Sequence, residues 1–445
     1  MATAAEHEGG DDGSRACTYP SILKTWFPLG GKQIIAAAAD PMIFAIIMRL
    51  GHPTLVMGAL YSYMLPILLV VSAPTIGLNT VGNVFGKNLH NLARIRKLSL
   101  CIGFGGTFLM GIVSFTPLGA WLLQSVMDVP DSEFRMATRA LQVCTIYPML
   151  SAFCSMYQGV LVRGGKAMSV FYGRLVRMVS ALLFLLFGLE TGMIPEVVLG
   201  AGSVVFSLGL QTLYLRLKIG TVRSHLALKP LDERRASLSE LVRFTIPIST
   251  APIVGAVTLL LMAAAMGRLP GVIASLAVWP IVSNFNQVGI GLGKSFDQVT
   301  MVHGKNNASI RRLFRTGLLI GLGTTFLVAM LNASGFLFYI LRTMEALDVE
   351  TATITDRAMW ILTPMPFFYT MCAYYRGLLA NALRTTPILI SKLIGFVVVG
   401  AVLVGSLELD PVKGVYVVAS STVVAAALTL AWLWYRGRDL VQPAA

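Results

Sequence analysis

CSMYQG at residues 154–159 and CAYYRG at 372–377 are one stretch written twice, 218 positions apart. The same offset carries Pro148 onto Pro366, Arg174 onto Lys392, and the Gly-Lys-Asn of 86–88 onto that of 304–306. Near the start of each copy the offset is 219, so that Pro28 meets Pro247 and Arg49 meets Arg268. An apolar chain made of two like halves is the pattern of a membrane carrier in which one bundle rocks against the other around a shared site.

Composition agrees with a membrane setting. The chain is 56% hydrophobic and 13% charged, against about 25% charged in soluble proteins. Its net charge of +14 is concentrated in short basic segments, which positive-inside topology explains without a nucleic-acid partner. The five cysteines (Cys17, Cys101, Cys144, Cys154 and Cys372) show no CxxC spacing. They read as small apolar packing residues, and the scattered histidines give no metal-ligand pattern. No GxxxxGK[ST] loop is present, so ATP-driven pumping by this chain alone is not expected. Residues 1–21 are expected to form a disordered cytoplasmic tail, with no cleavable leader.

A span needs about 20 mostly apolar residues. Twelve are expected, near 22–48, 54–86, 98–124, 134–163, 167–190, 195–217, 239–267, 271–303, 311–341, 352–382, 386–407 and 411–435. The expected fold class is all-α: twelve transmembrane helices in two parallel six-helix bundles related by a pseudo-twofold axis. The bundles would cover 22–217 and 239–436, joined by a cytoplasmic linker at 218–238 and followed by a short tail at 437–445. Segments 87–97, 216–235 and 305–315 carry the lysines and arginines, while the alternate connections are acidic or sparse. Basic loops stay inside, so both termini are expected in the cytoplasm of a cell whose plasma (inner) membrane holds the protein. An even number of spans per half makes the repeat parallel.

Ionisable residues within spans cost at least about 2.5–3.5 kcal/mol near the bilayer centre and face cavities or partners. Span one carries Lys32 and Asp40, span five Arg174 and Arg177, span eight Lys294 and Asp297, span ten Arg376 and span eleven Lys392. Each has a plainer reading. The span-five and span-eleven cations can snorkel to the interface, and Lys294 with Asp297 can form an i,i+3 pair. The matching positions of Arg174 and Lys392 favour a shared cavity. Asn79 and Asn83 in span two, and Asn284, Asn286 and Gln287 in span eight, add amides that either line a pore or bridge helices. Six cations against two carboxylates make such a cavity positive. Low-dielectric walls focus that field, and arginine grips carboxylate or phosphate bidentately. An organic or phosphorylated anion is the implied cargo, with Lys32, Arg174, Arg177, Lys294, Arg376, Lys392, Asn79, Asn83 and Asn286 as its binding residues. Asp40 and Asp297 would couple transport to an ion gradient.

The spacing of an entry proline and a later Arg-Leu (Pro28 with Arg49-Leu50-Gly51; Pro247 with Arg268-Leu269) resembles the multidrug/oligosaccharidyl-lipid/polysaccharide superfamily, which includes the MATE exporters. FPLG at 27–30, ALYSYM at 59–64, NTVGNVF at 79–85, YPML at 147–150, RFTIPI at 243–248 and FDQVTMVHGKNN at 296–307 are similar to the progressive ankylosis protein family. That resemblance implies export of a polyanion such as citrate, a nucleotide or pyrophosphate. Asp40 stands where that family is expected to carry an acidic residue, whereas the drug exporters' coupling residue would fall near Ile43. The family's long acidic C-terminal tail has no counterpart after Arg438, so regulation by such a tail is not expected.

The chain is thus read as a gradient-driven carrier acting as a monomer, with no cofactor beyond a coupling H+ or Na+ gradient. The alternatives are a MATE-type drug or cation antiporter, a flippase for a pyrophosphate-linked lipid and, remotely, an intramembrane enzyme or scaffold. No paired aspartates, Ser–His or metal set supports an enzyme.

Overall fold

The computed structural model describes residues 17–47, 49, 56, 58–127, 129, 131–227, 236–266, 272–343, 349–406 and 414–441. Residues 1–16 of the tail expected over 1–21, the middle of the linker at 228–235, and Arg268 and Leu269 lie outside the described residues, while the rest of that expected tail is ordered, with α1 beginning at Tyr19.

No strand occurs among these residues. The long helices are α1 (Tyr19–Ile47), α2 (Leu65–Phe85), α3 (Leu89–Phe115), α4 (Asp131–Val143), α5 (Tyr147–Arg163), α6 (Ala167–Thr191), α7 (Glu196–Ala227) and α8 (Leu238–Met266). They continue with α9 (Val272–Lys294), α10 (Phe296–His303), α11 (Asn307–Ala333), α12 (Val349–Leu362), α13 (Met365–Asn381), α14 (Thr386–Gly405) and α15 (Gly414–Gly437). Eight helical segments of the described residues are long and apolar enough to cross a membrane. The other four crossings of the twelve-helix fold are α1 and three interrupted pairs: α4 with α5, α9 with α10, and α12 with α13. The first and last interruptions, at Cys144–Ile146 and at 363–364, fall at the same place in the two repeats. Pro148 and Pro366 then stand at the second residue of α5 and of α13, where a missing N–H costs nothing.

The basic segments are not loops, as expected from sequence, but helix ends. Asn88 accepts a bond from the Asn91 amide at 2.8 Å and starts α3; Asn306 accepts one from the Ser309 amide at 2.9 Å and starts α11. An asparagine cap contributes about 1 kcal/mol. It lets the helix begin among lysines and arginines, which break apolarity but not helicity. The third span therefore runs over 89–115 rather than 98–124, and a separate short helix follows at Pro117–Trp121. Likewise the ninth span, α11, ends at Ala333 rather than near 341, and Gly335 in the left-handed region turns the chain into another short helix, Phe336–Thr343.

Packing repeats with the sequence. Within the first half α2 and α3 pack on α5, α1 on α6, and α6 on α7; within the second α10 and α11 pack on α13, α8 on α14, and α14 on α15. Between halves the contact is reciprocal. Helix α1 lies on α9 and α10, and its repeat partner α8 lies on α2, the repeat partner of the α9–α10 pair. This is the self-complementary arrangement that a pseudo-twofold axis produces. Close approach depends on two matched glycines. A Cβ at Gly159 would stand 2.1 Å from the carbonyl oxygen of Asn79, and one at Gly377 2.6 Å from that of Asp297. Apolar side chains have no solvent advantage over lipid tails, so such backbone contacts carry helix association.

The two ends of the bundle differ. One buried cluster spans both halves and draws on the end bearing the basic residues, from Ile22 and Phe85 to Phe296 and Leu379. Cross-half bonds gather there too. The Cys17 amide donates to Ser309 Oγ at 2.9 Å, Arg312 donates to the Cys17 carbonyl at 2.9 Å, and Thr25 Oγ1 and His303 Nε2 stand 3.0 Å apart. Arg163 donates to the Met301 carbonyl at 3.0 Å, and Arg94 to that of Ala236. Toward the opposite end, the clusters each belong to one half. One joins Ile47, Leu68, Ala140 and Val197; the others join Val278, Ala358, Val415 and Met262 with its neighbours.

Candidate functional site

Helix α9 stops at Lys294 because Ser295 turns the chain. Its backbone carbonyl accepts from the Gln298 amide at 3.2 Å, and its hydroxyl donates to the Leu292 carbonyl at 3.2 Å. Asp297 then sits in the first turn of α10, where Oδ1 accepts from the Gln298 amide at 2.7 Å. A carboxylate is favoured at a helix N-terminus by the exposed amides and the dipole. The spacing of Lys294 and Asp297 allows an i,i+3 ion pair, but none forms between them. The helix breaks between them, and both side chains instead line one cavity.

That cavity, about 410 Å³ in volume, is walled by α1, α2, α5, α6 and α7 of the first half and by the α9–α10 junction of the second. Its charged lining is Lys32, Arg174, Lys294 and Asp297, with Asn79, Gln158, Gln211 and Gln298 among the amides. Lys32 is only 8% exposed and donates from Nζ to Gln158 Oε1 at 3.3 Å. Lys294 is exposed within the cavity. A second cavity, of about 180 Å³, lies within the second half. It holds Arg376 and Lys392 with Asn286, Gln287, Tyr369, Trp279 and Thr258, and among the described residues no carboxylate lines it. The two share a field: Lys294 feels both Arg376 and Asp297, and Lys392 feels both Arg376 and Lys294.

The single central cavity expected from the matched Arg174 and Lys392 is not what the structure shows: Lys32, Arg174, Lys294, Asp297 and Asn79 line one cavity, and Arg376, Lys392 and Asn286 line another. Two residues read from sequence as cavity groups line neither. Asn83 is buried, and its Nδ2 donates to the Gln298 carbonyl at 3.3 Å, tying α2 to α10 across the halves. Arg177 lies one turn beyond Arg174 on α6, close enough to Cys154 to act on it electrostatically. The side chains of Asp40 and Asn284 lie outside the described residues, although the α1 backbone is helical through Pro41 to Ile47.

Gln158, Gln211, Tyr369 and Trp279 were not singled out from sequence. The repeat held a signal for the first: Gln158 is the counterpart of Arg376, as Asn79 is of Asp297. At these positions one half keeps an amide where the other carries a charge. Three buried amide oxygens of this cavity (Asn79 Oδ1, Gln211 Oε1 and Gln298 Oε1) have no hydrogen-bond partner among the described residues. Such groups at a cavity wall await a donor.

No protein-family model matches the chain, and no curated protein sequence does. Solved structures match over nearly its full length. A MOP superfamily transporter from Pyrococcus furiosus, described as having a binding pocket of reverse polarity that suggests a different function, covers 95% of this chain and 96% of its own at 13% identity and a TM-score of 0.71. A Vibrio cholerae MATE transporter in its bent form gives 14% identity and a TM-score of 0.73, with 95% and 96% covered. An outward-facing multidrug resistance MATE transporter of the same superfamily gives 13% and 0.69, with 95% and 96% covered. The fold is that of MATE-like transporters.

Proposed function

We propose that this chain is an alternating-access secondary transporter of an organic or phosphorylated anion. The carrying observation is the charge of the two cavities. Among the described residues, three cations face one carboxylate in the first, and Arg376 and Lys392 stand without a carboxylate in the second. A cavity with this balance concentrates anions and repels cations. The Pyrococcus furiosus neighbour, with its pocket of reverse polarity, offers a parallel within the same fold. The cargo class of citrate, nucleotide or pyrophosphate comes from the resemblance to the progressive ankylosis family.

The mechanism follows from the two ends. With the basic end inside, both termini are cytoplasmic. The closed end is then the cytoplasmic one, and the form described is outward-facing. The two halves, 22–217 and 239–436, rock about the reciprocal α1–α9 and α2–α8 contacts. Breaking the Thr25–His303 and Cys17–Ser309 bonds opens the inner side. Asp297, set between Lys32 and Lys294, serves as the coupling carboxylate, with Asp40 as its companion on α1. The protein acts as a monomer.

A drug or cation antiporter is the second reading, favoured by Asp297 itself and by the multidrug transporters that share the fold. Proteoliposomes separate the two. Saturable uptake of labelled citrate, ATP or pyrophosphate, with none of a cationic dye, supports the anion carrier. Dye uptake coupled to a proton gradient, with no anion uptake, overturns it.

A further inference from the structure

A third cavity, also about 410 Å³, lies at the basic end and away from both cavities above. It is formed where four helix ends meet: Phe85 of α2, Glu240, Arg243 and Phe244 of α8, the turn Leu383–Thr386 with Pro387 entering α14, and Arg436 of α15. We propose that this cavity binds the phosphate headgroup of an anionic phospholipid, with Arg243, Arg384 and Arg436 as its ligands.

The chemistry of the lining comes first. Three arginines face one glutamate, so the lining keeps a net positive charge; the Glu240 backbone amide donates to Ser237 Oγ at 3.0 Å in the cap of α8. Arg384 is also paired with Asp439, which does not line the cavity. Thr385, only 5% exposed, lines it and makes no side-chain capping bond. Its hydroxyl stands beside the amides that open α14, a 20-residue helix. Helix N-termini and arginine forks are both suited to phosphate oxygens.

The repeat sharpens the point. The counterparts of Arg384 and Arg436 are Lys166 and Lys218, and at the offset of the first helix Arg243 corresponds to Lys24. Each of these three lysines has an arginine as its counterpart in the second half, the residue that binds phosphate bidentately rather than as a point charge. The turn differs as well. In the first half it runs through Gly165 at φ 73°, and in the second the same hydrogen bonds are kept with Leu383 at φ 59°. A leucine in the left-handed region costs about 1–2 kcal/mol. The strain is kept where the side chain forms the cavity wall, and strain of this kind gathers at ligand sites.

Position selects a lipid over a soluble phosphate. Arg436 stacks on Trp432 at 5.5 Å, as its counterpart Lys218 does on Tyr214 at 5.6 Å. Trp432 and Arg436 stand in the last two turns of α15, and aromatic and basic pairs at such a helix end mark the interface with the headgroups. Beside the cavity, Leu238, Val242 and Ile246 of α8 and Leu428 of α15 are exposed, leaving apolar wall for acyl chains next to the cationic pocket. Basic pockets between helices on the positive side are sites for anionic headgroups.

The full chain is purified in detergent and examined by native mass spectrometry against phosphatidylglycerol, phosphatidylcholine of the same chains, and glycerol 3-phosphate as a soluble competitor. The site predicts retention of one phosphatidylglycerol at about tenfold or more over phosphatidylcholine, falling to parity in Arg243→Gln/Arg436→Gln but not in Lys24→Gln/Lys218→Gln. If the arginine variant does not fold, Arg436→Lys is read instead. Several-fold weaker retention supports the site, and unchanged retention overturns it. Parity in the unmodified protein, undiminished preference in the glutamine variant, or displacement by glycerol 3-phosphate each overturn the lipid assignment. None of these outcomes depends on which cargo the central cavities accept.

Discussion

Replacing Lys294 by glutamine removes one of three cations from the first cavity while keeping a polar side chain of similar reach. Its effect can be worked from the size of the space. A sphere of 410 Å³ has a radius of about 4.6 Å, so an anion at its centre lies roughly 5 Å from each lining charge. Coulomb's law then gives about 3 kcal/mol per unit charge at an effective dielectric constant near 20, and about 1 kcal/mol at that of water. Lys294 is exposed within the cavity, whereas Lys32 is 8% exposed. Lys294→Gln therefore belongs toward the lower figure, about fivefold weaker binding for a monoanion and more for a di- or trianion. Lys32→Gln belongs toward the upper. Asp297→Asn removes the opposing charge, and the same arithmetic predicts tighter anion binding. The assay is concentration-dependent uptake of labelled citrate and ATP into proteoliposomes at low and high salt. Damage to the fold would weaken uptake in every variant, but a field effect moves Lys294→Gln and Asp297→Asn in opposite directions and shrinks with salt. If both variants hold the apparent KM within twofold, or both raise it, the electrostatic argument is wrong.

Four further outcomes follow from particular contacts. Gly159→Ala forces a Cβ against the Asn79 carbonyl at 2.1 Å, so α2 and α5 must part; overpacking of this kind costs about 1–3 kcal/mol, read as a lowered Tm in detergent. Leu383→Gly relieves the left-handed leucine and should stabilise by about 0.5–1 kcal/mol, raising Tm, with a fall counting against strain at that turn. Thr25→Val with Ser309→Ala removes two bonds across the closed end, about 0.5–1.5 kcal/mol each, and should speed labelling of cysteines placed inside that end; an unchanged rate means the bonds do not hold it shut. Asp439, hydrogen-bonded by Arg384, is held below the ordinary carboxylate range. A depressed pKa stabilises at pH above the unfolded value and is lost as pH falls through the folded one. The Arg384–Asp439 pair should therefore persist throughout the pH range above 3.8, and NMR titration of the Asp439 carboxyl that gives an ordinary midpoint would contradict the pairing.

Much of the architecture was legible in the chain. Apolar runs of bilayer length have one solution for their backbone polar groups, the helix, and the 218-residue echo fixed two like bundles before any helix was seen. The echo even located contacts, since Gly159 and Gly377 are matched residues making matched backbone approaches. Helix caps were less legible. The basic residues at 87–97 and 305–315 mark where apolarity ends, while Asn88 and Asn306 decide where the helices begin.

What sequence alone determined was that the apolar runs are helices repeated in two halves, and that cations outnumber carboxylates inside the spans. Tertiary structure decided how those helices meet. It put Lys32, Arg174, Lys294 and Asp297 around one cavity and Arg376 with Lys392 around another. It turned Asn83 to a carbonyl across the halves, and it broke α9 from α10 between Lys294 and Asp297. The reason is geometric: helical periodicity sets the angle of a side chain about its own axis, but the rotation of that axis against its neighbours is set by backbone contacts between residues far apart in the chain.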